Sequence, residues 1–251
     1  VRYLSGFTGS NAALLVSDST AILATDSRYE IQAAQQVSDL EAVIGRNFPE
    51  LLMGKLPKSE VLVEGAHLSV DTFAHLTQTY QHQFTSTTGV IEKLRSVKDE
   101  SEIGLIKQAC EISTRAYMSV IETVRVGQTE RYVRNELESC MRDLGADDIA
   151  FESIVASGPN SAIPHHEPTD RQIQSGDFLK IDFGAKIDGY HADCTRTSVI
   201  GKPAEWLAEA AAVPAIVDAN AMVLSTVDDG DQISTRTVLL KDISDGGFTF
   251  F

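Results

Sequence analysis

Hydrophobic and polar positions follow two kinds of pattern along this chain, and each predicts a different part of the molecule. In the first part, short apolar runs alternate with helical spacing. The pattern predicts strands at 12–16, 20–24 and 60–64, and helices at 28–37 and 70–80. Strands that alternate with helices indicate a small mixed α/β domain, which we predict to span residues 1–90.

Residues 91–251 are predicted to form a second domain, and 89–99 is interpreted as the crossing into it. Apolar residues at helical spacing then predict a helix over 100–124, which Gly127 ends. Thr129 is a predicted N-cap for the next helix, which Gly145 terminates. A strand is expected at 151–156, and a loop over 158–166 leads to a pair of histidines.

Two runs rich in β-forming residues follow within residues 177–199, which we predict to form a β-hairpin. Asp188-Gly189 is a two-residue turn signal between runs of β-formers. A turn centred there places Asp182 opposite Thr195, with Asp193 as its diagonal neighbour. A turn centred one residue earlier makes the two aspartates directly opposed. Because side chains alternate between faces, both carboxylates lie on one face in either case.

This pair of aspartates is the main candidate for chemistry. Cross-strand neighbours have Cβ atoms roughly 4.5–8 Å apart, so two negative charges there need a cation or a proton between them. Ile181 and Phe183 indicate a strand buried on at least one side, where a charge needs a partner or a metal. The alternative is an ordinary acidic strand face in contact with solvent.

Two adjacent histidines, His165 and His166, follow Pro164 just upstream of the hairpin. Adjacent side chains usually point apart, so at most one of them should face the aspartates. Without further information, solvent exposure is the common state of such a pair. His191 shares a face with Asp193 and has no assigned role.

Composition limits the classes of partner. The net charge of −15 and a pI of about 4.7 argue against nucleic acid and anionic membranes, and favour the attraction of cations. No apolar run approaches the ~20 residues of a membrane span. The three cysteines have no metal-ligand spacing and indicate free thiols in a reducing compartment, so the cytoplasm is the expected location. Cys194 should point away from the aspartate face.

Several motifs, in order, resemble one family. The run DFLKIDFGAKIDGYHADCTRT resembles the first metal-ligand segment of the pita-bread metallopeptidases, and in particular of the Xaa-Pro dipeptidases and aminopeptidase P proteins. PHH resembles their substrate-binding histidine segment, and LRSVKDESEIGLIKQACEIS the first helix of their catalytic domain. VRYLSGFTGSNAALLV and ATDSRYEIQA resemble their creatinase-type amino-terminal domain. The resemblance covers roughly residues 1–210.

The resemblance implies a fold and a site. It implies a creatinase-type α/β domain at 1–90 and a truncated pita-bread catalytic domain at 91–251. Asp182 and Asp193 are then metal ligands, and His165 is the histidine that contacts substrate, with His166 behind it. Short proline-containing peptides are the implied partners and Mn²⁺ the expected ion, with two ions in complete relatives. A homodimer remains open as the assembly.

The second half of the catalytic domain departs from the family pattern. Complete relatives add a histidine and two glutamates as ligands, but no histidine follows His191 in this chain. In the tail, 221–230 and 233–242 resemble the strands that carry the glutamates, with Asp228 and Thr235 at the ligand positions. Bound metal is therefore expected to be weak or absent and Xaa-Pro hydrolysis impaired. The alternatives are an inactive relative that serves as a binding or regulatory module, and a truncated product.

Overall fold

The structure is a computed structural model that describes residues 1–202 and, beyond them, the backbone of three strands at 221–227, 233–244 and 247–250. The chain divides into two compact units, Val1–Val97 and Lys98–Phe251.

The first unit is a mixed α/β arrangement, as the sequence predicts. Its helices are α1 Arg2–Ser5, α2 Glu30–Gln36, α3 Phe48–Met53, α4 Val70–Thr79 and α5 Val90–Ser96. Its strands are β1 Ala12–Val16, β2 Ala21–Thr25, β3 Glu41–Ile44, β4 Glu60–Glu64 and β5 Gln83–Thr87. Strand β2 pairs antiparallel with β1 and parallel with β3, while β4 and β5 pair in parallel.

The bounds in this unit differ from the sequence prediction in several places. Strands β1 and β4 have the predicted limits, and β2 lies one residue further along. Elements α1, β3, α3 and β5 are absent from the sequence prediction. Residues 89–99, predicted only as a crossing, contain helix α5, which Gly89 begins in the left-handed region at φ 72°.

The second unit begins with two amphipathic helices, α6 Glu100–Ile121 and α7 Glu130–Asp143. Asp99 caps α6 in a reciprocal arrangement with Glu102, in which each side chain accepts the other's backbone N–H. Thr129 caps α7 by accepting from the Tyr132 backbone N–H, which confirms the predicted N-cap. Helix α6 ends at Ile121, three residues before the predicted limit.

Strands of the second unit are β6 Asp148–Ile149, β7 Ile154–Ser157, β8 Phe178–Phe183, β9 Ala185–Ile187, β10 Tyr190–His191, β11 Cys194–Val199, β12 Ala221–Val227, β13 Ile233–Ser244 and β14 Gly247–Phe250. Strand β8 lies between β7 and β11, and β9 lies between β6 and β10. Strand β13 pairs antiparallel with β12 and β14, so the two strands predicted in the tail are present.

One face of β8 belongs to the core of this unit. Leu179, Ile181 and Phe183 are at most 1% exposed, whereas the residues between them are half-buried. Tyr117 of α6 stacks on Phe183, with ring centroids 5.7 Å apart. The helix therefore covers the apolar face of β8, and the opposite face carries Lys180 and Asp182. Among the described helices, none is both long enough and apolar enough to cross a bilayer.

Candidate metal centre

The two aspartates are placed by the hairpin that links β8 to β11. Asp188 and Gly189 have φ of 47° and 83°, and Ile187 pairs with Tyr190, so the turn is centred on Asp188-Gly189. Asp182 is paired with Thr195. Asp193, two residues before Thr195, is therefore the diagonal neighbour on the same face. Both features confirm the first of the two predicted registers.

A glycine lets the strands approach closely beside this pair. A Cβ atom on Gly184 would collide with the carbonyl oxygen of Ala192 and would also crowd Ala150. Gly184 directly follows β8, and Ala192 directly precedes Asp193. Any side chain at position 184 would therefore push the second strand away from the first and separate the two carboxylates.

Electrostatically, Asp182 is in an unfavourable place for a lone carboxylate. Its pKa is raised above the ordinary value, first by burial and then by the negative charge of nearby Asp193. The Thr195 hydroxyl donates to Asp182 Oδ1 at 2.8 Å, and this bond and the Lys180 ammonium act in the opposite direction. A divalent cation between the two aspartates would remove the repulsion that remains.

The chemistry of the donors fits a hard divalent cation. Carboxylate oxygens suit Mg²⁺, Ca²⁺ and Mn²⁺, and the two aspartates supply such oxygens on neighbouring strands. Thr195 orients one carboxylate by its hydrogen bond, as groups behind metal ligands commonly do. The remaining positions suggested by the sequence lie outside the described residues. These are Asp228 and the side chain of Thr235.

The two adjacent histidines have different surroundings. His166 is 8% exposed, and its Nε2 lies 2.8 Å from Glu130 Oε2. His165 is exposed. Just before it, Lys180 Nζ donates to the carbonyl oxygens of Ile163 at 2.6 Å and Pro164 at 3.4 Å. Because Lys180 and Asp182 share a face of β8, the backbone that leads to His165 lies on the aspartate side of the sheet.

Two residues important to this arrangement were not singled out from the sequence. Lys180 lies two positions before Asp182, so strand alternation alone could have placed it on the aspartate face. Glu130 follows the predicted N-cap Thr129 and appears in sequence as an ordinary first-turn acid. Nothing in the sequence next to Glu130 indicates that its side chain is buried.

The remaining candidates contribute no ligand to the aspartate pair. Cys194 packs against the apolar core, on the face opposite the aspartates, as predicted. Burial, followed by the nearby Cys110, raises its pKa to about 11. In the first unit, Glu64, His67 and Glu92 place ligand-type atoms within 4.8 Å of one another, but all three are exposed. His67 and Glu92 lie 3.4 Å apart, which describes a surface ion pair.

Comparison with known proteins gives the class. Residues 104–242 match the model of metallopeptidase family M24, and residues 1–97 match the creatinase/prolidase N-terminal domain. The chain belongs to metallopeptidase family M24, with a creatinase-type amino-terminal domain. This confirms the family and the fold class expected from the sequence motifs.

Individual relatives show which members of the family this chain is similar to. An Xaa-Pro dipeptidase of Pyrococcus furiosus is 34% identical over 82% of this chain and 59% of its own length. An uncharacterized peptidase of Bacillus subtilis is 33% identical over 96% of this chain and 69% of its own. The structure of an Xaa-Pro dipeptidase from Bacillus anthracis superposes with a TM-score of 0.77 at 35% identity, over 83% of this chain and 60% of that one. The chain thus spans about three-fifths of most of these proteins.

Proposed function

We propose that this chain carries the first part of an Xaa-Pro peptidase site, in which Asp182 and Asp193 bind a divalent cation and His165 contacts the peptide. The observation that carries the proposal is the close aspartate pair, in which Asp182 is half-buried with a raised pKa and Asp193 is exposed. Mn²⁺ is the expected ion. Two ions would be held where a complete ligand set is assembled.

The residues on the aspartate face have separate roles in the proposed site. A bound divalent ion supplies an activated water and polarises the scissile carbonyl. Thr195 holds one oxygen of Asp182 in a fixed direction. Lys180 holds the backbone of Ile163 and Pro164, so that His165 can donate to or accept from a peptide next to the aspartates. The names of the relatives support short peptides with proline in second position as substrates.

A second candidate is a binding module without catalysis. The specific observation in its favour is that no histidine follows His191 in the sequence, whereas the resemblance implies a later histidine ligand. Residues 1–251 alone would then hold a cation weakly, with a water whose pKa stays near that of solution. Peptide binding could persist without turnover. A cytoplasmic location and a homodimer remain predictions for either function.

Metal content and hydrolysis, measured on the same 251-residue preparation, separate the two functions. Mn²⁺ bound at equilibrium is counted by elemental analysis, and Xaa-Pro hydrolysis is assayed with Mn²⁺ added. We expect weak Mn²⁺ binding that Asp182→Asn removes, with little or no hydrolysis. Asp188→Asn is the matched control, because Asp188 lies in the turn of the same hairpin, is exposed, and has a positive φ that asparagine tolerates.

The outcomes are distinct. Turnover on the order of 1–1000 per second, lost in Asp182→Asn and retained in Asp188→Asn, would establish the peptidase and show that the other ligands come from elsewhere. Peptide binding without turnover would favour the binding module. Mn²⁺ binding that is equal in both variants would contradict the aspartate site itself.

A further inference from the structure

Glu130 has an unusual environment for a charged side chain. It is 0% exposed, and each of its carboxylate oxygens accepts three hydrogen bonds. Burial alone would raise its pKa, but the hydrogen bonds from His166, Asn160 and Thr169 outweigh burial and lower the pKa to about 2. The group is therefore a carboxylate at neutral pH, fully supplied with donors, at the first position of α7.

All six donors belong to one segment, residues 157–169. Oε1 accepts from the backbone N–H of Ser157 at 2.7 Å, from its hydroxyl at 2.7 Å and from Asn160 Nδ2 at 3.0 Å. Oε2 accepts from His166 Nε2 at 2.8 Å and from Thr169 through its backbone N–H at 3.0 Å and its hydroxyl at 2.7 Å. One buried carboxylate thus fastens the start and the end of a thirteen-residue loop.

His165 lies between these two fastened ends. The side chain that follows it, His166, is bonded to Glu130, and the carbonyl that precedes it, Pro164 O, accepts from Lys180. His165 itself is exposed, although the backbone on either side of it is held. The position of the His165 backbone is therefore determined by anchors on neighbouring residues.

The start of the loop is anchored a second time through Arg171. Its Nη1 donates to the Ser157 hydroxyl oxygen at 2.6 Å and to Asp177 Oδ2 at 2.6 Å. Asp177 immediately precedes β8, the strand that carries Asp182. The chain of bonds from Glu130 through Ser157 and Arg171 therefore reaches the strand of the aspartate pair.

We propose that Glu130 is a positioning residue for His165: its carboxylate fixes residues 157–169 so that the His165 ring is held at the aspartate pair. This inference rests on the proposed function, in which His165 contacts the peptide beside the metal. Glu130 itself touches neither substrate nor metal. It acts through His166 and the backbone of the loop.

If Glu130 only stabilised the fold, replacing it would have the same kind of effect as replacing Glu102, a second buried carboxylate that serves as the comparison. Glu102 is also a buried carboxylate of the second unit, 8% exposed, and it accepts from the Tyr190 hydroxyl at 2.7 Å and the Asp99 backbone N–H at 2.8 Å. Neither bond involves residues 157–169. Replacing Glu102 should lower stability without releasing the loop, whereas replacing Glu130 should release the loop.

The first measurement is amide hydrogen exchange, which needs neither metal nor peptide. Glu130→Gln keeps the size but loses half of the acceptors, and we expect residues 158–168 to exchange at least about tenfold faster through local opening, even where strand β8, whose exchange follows global unfolding, remains protected. Glu102→Gln should leave the loop unchanged. Thr169→Val, which removes one donor to Glu130 and the acceptor of the Arg171 backbone N–H, is the milder variant should Glu130→Gln not fold. Wild-type exchange of the loop in Glu130→Gln or Thr169→Val would overturn the inference.

The second measurement reports where the His165 ring lies. Bound Mn²⁺ broadens the NMR signal of a nearby histidine ring, and the His165 signal is identified by its loss in His165→Gln. In Glu130→Gln a displacement on the order of 1 Å, enough to impair catalysis, should about halve this broadening while Mn²⁺ affinity stays unchanged. Undiminished broadening in Glu130→Gln would overturn the inference. Absence of broadening in the wild type, or its persistence in Asp182→Asn, would overturn the proposed metal site instead, and loop exchange would then decide the inference.

Discussion

Glu130 and Asp182 are two carboxylates of the same unit, the first buried and the second half-buried, and their surroundings act on the negative charge in opposite ways. Glu130 accepts six hydrogen bonds from the residue 157–169 loop, and its pKa falls to about 2. Asp182 accepts the hydroxyl of Thr195 and faces the carboxylate of Asp193, and its pKa is raised. Burial raises the pKa of both groups. The neighbours decide which way each pKa finally moves.

The difference separates a carboxylate that stabilises the fold from one that we propose to be a metal ligand. Every bond to Glu130 is supplied by the protein, so the native fold already stabilises its charge. The charge on Asp182 faces a second charge of the same sign, an arrangement that the fold alone leaves unfavourable. A cation would offset this repulsion, and this is the physical basis for proposing a metal at Asp182 and Asp193.

The largest expected change in stability follows from replacing Glu130. Glu130→Ala leaves the donors at Ser157, Asn160, His166 and Thr169 without their acceptor, and Ser157 and His166 are buried. The variant should lower the free energy of unfolding of the second unit by about 3–5 kcal/mol. Hydrogen exchange at the core amides of β8 measures this quantity. Glu102→Ala, which frees fewer donors, should cost about 1–2 kcal/mol. Equal losses in the two variants would contradict the distinction.

The pH dependence of stability gives a second test of the same group. The pKa of Glu130 is depressed from 4.5 to about 2 in the folded protein, so its contribution is fully present above 4.5 and is lost as the pH falls toward 2. The contribution should be about 3 kcal/mol. Stability of the wild type should therefore fall more steeply between pH 4.5 and 2 than that of Glu130→Gln. Parallel curves would show that the carboxylate is not stabilised by its donors.

Much of this arrangement was accessible from the sequence because it is local. The Asp188-Gly189 turn determines the register of the hairpin, and strand alternation then places Asp182 and Asp193 on one face. The N-cap Thr129 was likewise predicted from its own segment. These features depend on residues within a few positions of one another, where periodicity and turn chemistry are reliable guides.

The network around Glu130 could not be predicted in the same way. Its partners lie 27 to 39 positions further along the chain, and no rule of spacing joins a first-turn glutamate to them. The residue type also predicts exposure, because glutamate is rarely buried unless it is paired. The sequence predicts that His165 and His166 point apart, but the contact of His166 with the buried Glu130 required the three-dimensional structure.

A smaller change in stability, of opposite sign, is expected when one aspartate of the pair is replaced. Without metal, Asp182→Asn removes one of two like charges and should raise the free energy of unfolding by about 1 kcal/mol. Because the folded pKa of Asp182 is raised, the repulsion is present above that pKa and is lost as the pH falls through it. The advantage of the variant should therefore shrink at low pH. Mn²⁺ should reverse the order by stabilising the wild type alone. Asp188→Asn, in the same hairpin, should respond to Mn²⁺ as the wild type does.

The smallest effect on stability is expected at His165, and it completes the comparison between structural and functional groups. His165→Ala should change the free energy of unfolding by no more than about 0.5 kcal/mol, because the ring is exposed. His166→Ala should cost about 1–3 kcal/mol, since it removes a donor from the buried carboxylate of Glu130. Affinity for a dipeptide such as Gly-Pro, measured by calorimetry with Mn²⁺ present, should nevertheless fall roughly tenfold in His165→Ala, if one charge-assisted hydrogen bond is lost. Unchanged peptide affinity in His165→Ala, with the stability of both variants as expected, would leave the structural division intact and remove His165 from the peptide site.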